Sequence, residues 1–343
     1  MKILHVCNIK GTRSNGISEI VPEYVRHQSI YADVELLNLY THQRFNKNKK
    51  YDLVIIHGVY ELNTLLFFYR YIFKRYKYIF VPHGGLTKIA QKNSEHKKRI
   101  ANRFVFRQFY KRAEAIQFLS ENEKNNSIDV GNKNKIICAS GMEIPNRVMY
   151  KEHQRDEIIF TYIGRITVFY KGLDLLVQAV SKIKNIMIQS NAKVKIIGTN
   201  NVGESLEDLY SVIEQENLQE IVTIDENGRF GEAKKKELLD ADYFIQTSRS
   251  EGLPLGVLEA LSYGIPLVTT NPVGFSDIID EFKCGFHCDT DLYDISEMIK
   301  NAIKNRNEIG RMSVNAFEAV KKFEWSYVTR KTLDLYSNIL KEK

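Results

Sequence analysis

Short runs of β-branched and aromatic residues alternate with stretches of helical apolar spacing along nearly the whole chain. That alternation restricts the fold most. A strand that returns through a helix to another strand pairs in parallel, and such sheets carry helices on both faces. The strand-like runs of the first half are Lys2–Cys7, Asp52–His57, Tyr78–Pro82 and Ala115–Leu119. Those of the second half are Ile158–Ile163, Lys193–Gly198, Tyr243–Thr247 and Pro266–Thr269. A length of 343 residues suits two α/β domains, each of about 150 residues with its own core. The segment Ile144 to Asp156 has no period, and the strand-like EIIFTYIG opens directly after it, so the linker is expected there. This places one Rossmann-like domain at 1–150 and a second at 151–324. The tail from Trp325 to Leu340 reads as a helix, with Val328, Leu333, Leu335, Tyr336 and Leu340 apolar, and by itself could pack on either domain.

The longest apolar stretch, LNTLLFFYRYIF, is broken by Arg70 and falls short of the roughly 18 residues a membrane span needs. The opening MKILHVCNIK is too short for a signal-peptide core. Four cysteines without a paired framework fit a reducing compartment, and a cytoplasmic protein is expected. There is no G-x-x-x-x-G-K-[ST], which excludes a P-loop kinase or ATPase, and no G-x-G-x-x-G, which counts against a dinucleotide-dependent epimerase or oxidoreductase.

Four segments carry chemistry. The first, SRSEGLPLGVLEAL from Ser248, follows a strand and should enter a helix near Pro254, since proline suits a first helical turn. Gly252 and Gly256 permit close ligand approach. The free N–H groups of Leu255, Gly256 and Val257 would face an anion such as a phosphate. Glu251 lies ahead of the helix and Glu259 about one turn inside it, so one carboxylate can grip sugar hydroxyls and the other ribose hydroxyls. Leu253 belongs to the same loop, and Phe230 is expected to line the same donor site. The second segment, GRITVFYKGLD from Gly164, puts Arg165 and Lys171 in a strand-to-helix loop, where doubly wound folds bind ligands. Two cations there suit a pyrophosphate. Third, PHGGL sets His83 at a strand end beside two glycines. Fourth, TRSNGIS joins the first strand to a helix, and Asn15-Gly16 could offer N–H groups to a phosphate. Taken singly, each has a plain structural reading: a capped helix, a solvated basic loop, a core histidine, a turn.

Taken jointly and in this order, they resemble the large retaining family 4 of GT-B glycosyltransferases. Glu251 and Glu259 reproduce its E-x7-E pair, Gly164-Arg165 and Lys171-Gly172 its G-R and K-G, and His83-Gly84 its H-G. The match is strong from about residue 157 to 290 and looser before that. Asn15-Gly16 stands where two adjacent glycines are common, and Ser140-Gly141 where Asn-Gly is common. The resemblance implies a GT-B fold, two Rossmann-like domains with parallel sheets facing across a cleft, and a C-terminal helix, about 325–343, crossing back to the first domain. It implies Arg165 and Lys171 on a donor pyrophosphate, Glu259 on the ribose, Glu251 near the sugar, His83 near it from the opposing domain and Gly16 facing the phosphates. It further implies a nucleotide diphosphate sugar as donor substrate, UDP-hexose by family frequency, no cofactor and no metal, and a glycan or lipid-linked acceptor; the basic face of the first half points to bacterial cell-surface polysaccharide synthesis. The alternatives are a soluble-acceptor or protein glycosyltransferase and a catalytically silent nucleotide-sugar-binding partner subunit.

Two D-x-D matches, Asp240-x-Asp242 and Asp289-x-Asp291, mimic the metal motif of another transferase class, but the first ends a helix and precedes a strand, and the second follows GFHC in a polar stretch. Cys284, His287 and Cys288 offer three zinc-type ligands where a structural site wants four. Residues 1–150 hold 25 Lys+Arg against 12 Asp+Glu, a balance of +13, while the remainder balances at −6. Lys88 to Arg112 alone has nine cations interleaved with Ile89, Ile100, Phe104, Val105, Phe106, Phe109 and Tyr110, and Phe67 to Phe80 mixes eight aromatics with four cations. A basic, aromatic surface of this kind reads as contact with anionic lipid, with Lys97, Lys98 and Arg103 among the contacting cations, and places the chain peripherally at the inner face of a membrane. No nucleic-acid motif accompanies it.

Overall fold

The computed structural model describes residues 1–9, 16–41, 45–92, 94–149, 156–200 and 206–341. Asn15 and residues 150–155 of the expected linker lie outside this set. The chain forms two compact units, Met1–Gly141 with Phe323–Lys343, and Met142–Lys322. The first has strands β1 (Lys2–Cys7), β2 (Asp33–Asn38), β3 (Leu53–His57), β4 (Tyr78–Val81), β5 (Ala115–Phe118) and β6 (Lys135–Ile137) in the order β2-β1-β3-β4-β5-β6. The second has β7 (Ile158–Ile163), β8 (Ala192–Ile197), β9 (Val222–Asp225), β10 (Tyr243–Gln246), β11 (Leu267–Thr270) and β12 (Gly285–Cys288) in the order β12-β11-β10-β7-β8-β9. Every pairing is parallel.

The inner strands β3, β4, β5, β7, β10 and β11 are buried at every residue, as sheets covered by helices on both faces require. Fully burying a Val, Leu, Ile or Phe side chain contributes about 1.5–3 kcal/mol, so these runs anchor each unit. Their C-terminal ends converge on one edge of each sheet. In each unit the chain reverses direction beside its first strand, between β1 and β3 and between β7 and β10. Ligands bind in such crevices in open α/β sheets.

The helix Trp325–Lys341 packs in the first unit, where Tyr336 donates to Gln117 Oε1 at 2.6 Å and Lys77 Nζ to the Leu340 carbonyl at 3.2 Å. Trp325 stacks on His27, with centroids 4.5 Å apart, and occupies the space over Gly141, where a Cβ would lie 2.3 Å from its ring. Ser140 meets the Tyr24 hydroxyl at 2.8 Å. Ser140 and Gly141 thus have local packing duties.

The two aromatic, basic stretches split by burial. Phe68, Ile72, Phe106, Phe109 and Tyr110 enter the first unit's core. Leu62, Leu66, Tyr69, Ile100, Phe104 and Val105 stay exposed, Phe104 at 74%. They sit on two helices, Leu62–Phe67 and Glu95–Ile100, that each run on into a five-residue π-helical turn; Tyr69 on one donates to the Val105 carbonyl on the other at 3.0 Å. Lys98 turns inward, its Nζ 2.5 Å from the Ala90 carbonyl and over the Tyr60 ring, and so leaves the surface set expected from the sequence. No helix among the described residues is long and apolar enough to cross a membrane.

Candidate active site

The second unit's reversal point is built from two loops, one after β7 and one after β10. Lys171 ends the short helix Val168–Lys171, and Gly172 follows at φ +61. A Cβ on Gly172 would lie 2.0 Å from the Thr247 carbonyl, so only glycine lets the loops approach. They are then tied by Thr247 donating to the Gly172 carbonyl at 2.8 Å and by Arg249. The Arg249 guanidinium binds Asp174 through both nitrogens at 2.7 Å and lies 4.5 Å from the Phe169 ring centroid. Such two-point binding fixes orientation as well as charge.

Within this frame Lys171 and Glu251 meet directly, Nζ to Oε1 at 2.6 Å, with side chains only 17% and 12% exposed. The same oxygen accepts from Gln246 Nε2 at 2.7 Å and Ser248 Oγ at 2.6 Å. Glu251 Oε2 has no partner among the described residues. Arg165 is exposed, without a carboxylate partner among the described residues, and its carbonyl accepts from the buried Tyr162 hydroxyl at 2.7 Å.

The helix after this loop spans Leu255–Tyr263, with Pro254 as its N-cap rather than its first turn. Val257 N–H donates to the Pro254 carbonyl at 3.1 Å and is not free for an anion, because the first turn closes on the cap residue. The N–H groups of Leu255 and Gly256 stay unbonded among the described residues, at the positive end of the helix dipole. Gly256 packs on β7, where a Cβ would lie 3.1 Å from the Ile163 carbonyl. Gly252, Leu253, Leu255 and Gly256 are half-buried. Glu259 is ion-paired to Lys234, from the helix Gly231–Leu239, whose N-cap is the half-exposed Phe230.

Several contributors escape a sequence reading. Gln246, Ser248, Arg249, Asp174 and Lys234 each form a contact that spacing alone does not disclose. The Arg two residues before Glu251 was the available signal.

In the first unit His83 takes φ +50, a left-handed conformation uncommon outside glycine. Glu123, fully buried, holds the following turn by accepting from Gly84 N–H at 2.5 Å and Leu119 N–H at 2.7 Å. Burial pushes its carboxyl up to about 7 against those two donors. His83 Nε2 lies 2.9 Å from His57 Nδ1. Gly16 is the first residue of the helix Gly16–Gln28.

The rival metal motifs have structural uses. Asp242 is buried and accepts from Ile159 N–H at 2.8 Å, and Asp291 caps the helix Leu292–Lys304. Asp289 accepts from Asn271 at 2.5 Å. His287 is held by Asn271 at 2.7 Å and Asp280 at 3.2 Å, while Cys284 is fully buried.

Residues 149–319 match the family described as glycosyl transferases group 1. Together with two Rossmann-like units, this makes the chain a GT-B-fold member of that family. It is 26% identical over 70% of its length to an uncharacterized 41.2 kDa protein in the cps region of Klebsiella pneumoniae, and 27% identical over 50% to the O-antigen biosynthesis glycosyltransferase WclY of Escherichia coli. Those matches span 65% and 44% of the two relatives, so the chain covers less than two thirds of either. The solved Anabaena protein HepE in complex with UDP-glucose shares the fold at a TM-score of 0.72 and 16% identity, over 98% of this chain and 100% of that one.

Proposed function

We propose that this chain transfers a hexose from a nucleotide diphosphate sugar, a UDP-sugar in the first instance, to a hydroxyl of a glycan or lipid-linked acceptor in cell-surface polysaccharide synthesis, with retention of anomeric configuration. One observation carries the reading: the Lys171–Glu251 pair stands at the reversal point of the second sheet, beside a helix start with two unbonded N–H groups. Lys171 and Arg165 would bind the diphosphate, joined by the N–H groups of Leu255 and Gly256. Glu251 would hold sugar hydroxyls through its free oxygen and Glu259 the ribose. Phe230, Gly252 and Leu253 would line the donor. From the first unit, His83 would lie near the sugar and Gly16 would face the phosphates.

Breaking the glycosidic bond leaves charge on the diphosphate, and fixed cations and dipoles that meet it stabilise the transition state selectively. The departing phosphate would take the acceptor's proton. Incubation with a UDP-sugar panel should release UDP only when acceptor is present, or slowly with water, and the product should keep the donor's anomeric configuration. An inverted product overturns the retaining assignment. Because these cations would cover the leaving group, turnover is expected to survive EDTA; abolition by EDTA with recovery on manganese would refute the donor-site assignment.

The exposed apolar residues Leu62, Leu66, Ile100 and Phe104 and the exposed cations Arg70, Lys97, Arg99 and Arg103, on two helical segments tied by the Tyr69–Val105 hydrogen bond, support attachment to an anionic membrane. Each Lys or Arg near such a surface contributes about 1 kcal/mol. The protein should sediment with phosphatidylglycerol vesicles and leave them as salt rises. Charge reversal at Lys97, Arg99 and Arg103 should weaken binding about tenfold or more, and Phe104→Ser should weaken the salt-resistant part. Indifference to these vesicles at low salt would reassign the basic face to a soluble acidic acceptor.

A further inference from the structure

Three neighbouring strands of the first unit each supply one imidazole to a single hydrogen-bonded row. His5 is in β1, His57 ends β3 and His83 follows β4. His5 Nδ1 lies 2.9 Å from His57 Nε2, and His57 Nδ1 lies 2.9 Å from His83 Nε2. At the far end His5 Nε2 meets Oε1 of Gln28, the last residue of the helix Gly16–Gln28, at 3.0 Å. His5, His57 and Gln28 are at most 1% exposed, and His83 is half-buried with no partner for Nδ1 among the described residues.

A neutral imidazole carries one N–H, and each nitrogen–nitrogen contact holds one proton. These two rules couple the rings. An amide oxygen only accepts, so His5 must carry its proton on Nε2. Its bare Nδ1 then accepts from His57 Nε2–H, and the bare Nδ1 of His57 accepts from His83 Nε2–H. All three rings are therefore Nε2–H tautomers, and His83 presents a bare Nδ1. Turning the Gln28 amide over would reverse every step and make that atom a donor. Oε1 is the atom that faces His5, and Gln28 Nε2 is buried without a partner, so the orientation of this one amide decides the direction of the whole row.

We infer that Gln28, His5 and His57 are positioning residues that set the tautomer of His83 and hold its Nδ1 as an acceptor for a substrate hydroxyl. The wire moves no net proton; it fixes which nitrogen is bare. Its functional half rests on the proposed reading that His83 contacts substrate, while the tautomer itself does not. Burial keeps the rings neutral, with His5 and His83 held down to about 4.

The test is 15N NMR of the full chain labelled at histidine. All three rings should show a pyrrole-type Nε2 and a pyridine-type Nδ1 at neutral pH. His57→Phe should leave His83 a tautomer mixture, and so should Gln28→Leu, with Gln28→Met as the closer match in shape should leucine fail to fold. In these variants kcat should fall at least fivefold while the KM for the donor stays within twofold. A mixture of tautomers in the wild type, or uniform Nδ1–H, overturns the inference. Uniform Nε2–H with kcat unchanged in variants whose tautomers do change overturns the role for His83 and leaves the donor site untouched.

Discussion

Lys171→Ala is expected to lower turnover of a UDP-sugar by about 30-fold or more, the lower end of the roughly 2–5 kcal/mol lost when one partner of a desolvated, hydrogen-bonded charge pair is removed. Two losses combine. The donor diphosphate loses a cation, and Glu251 Oε1 loses its ion-pair partner, with only Gln246 and Ser248 left to bond it. Arg165→Ala differs in kind, because Arg165 is exposed and supports no carboxylate among the described residues. Its effect should fall on donor binding and turnover with little change in melting temperature, whereas Lys171→Ala should lower both. Lys171→Met, which keeps the stem's packing, separates the charge from the volume. Wild-type turnover in both alanine variants would sink the donor assignment.

The contrast shows what was legible in the chain. The eight strand runs that stand out in the sequence are β1, β3, β4, β5, β7, β8, β10 and β11, all interior to their sheets. The four that do not stand out, β2, β6, β9 and β12, are the sheet edges. An edge strand is covered less and tolerates polar residues, as Asp33, Glu35 and Asn38 do in β2, so its apolar run is diluted below recognition. At the site, Lys171 and Glu251 are legible as residue types at a loop position, but their mutual contact, 80 residues apart in sequence, is not. Nor is the bidentate Arg249–Asp174 tie, since fork geometry has no sequence signature. His83 could be singled out by its glycines. His5 and His57 could not, because each reads as an ordinary member of a buried strand until the β1-β3-β4 order makes them neighbours.

That row of imidazoles leads to a large effect of pH on the first unit. Burial holds His5 down to about 4, and His57 is held lower than usual by burial first and by the flanking histidines second. Once unfolded, each returns to about 6.5. Between these values the unfolded chain binds more protons, so stability is full above about pH 6.5 and drains as pH falls toward 4. One extra proton bound by the unfolded chain costs about 1.4 kcal/mol for each pH unit crossed, so His5 alone accounts for roughly 3 kcal/mol over that window. Glu123 works in the opposite direction. Its folded value of about 7 lies above the ordinary 4.5, so its contribution is complete below 4.5 and is lost as pH rises through 7. One such acid against several buried imidazoles leaves a net loss on acidification. The single tryptophan, Trp325, packs in this unit and reports its unfolding. The urea midpoint followed by its fluorescence should therefore fall steadily from pH 6.5 to 4.5. His5→Gln, which removes one titrating ring while keeping a polar side chain, should flatten the slope by up to one proton's worth; Glu123→Gln should steepen it. A midpoint that stays level across the window, or rises on acidification, would show that the imidazoles are charged in the folded state and that the row is not neutral.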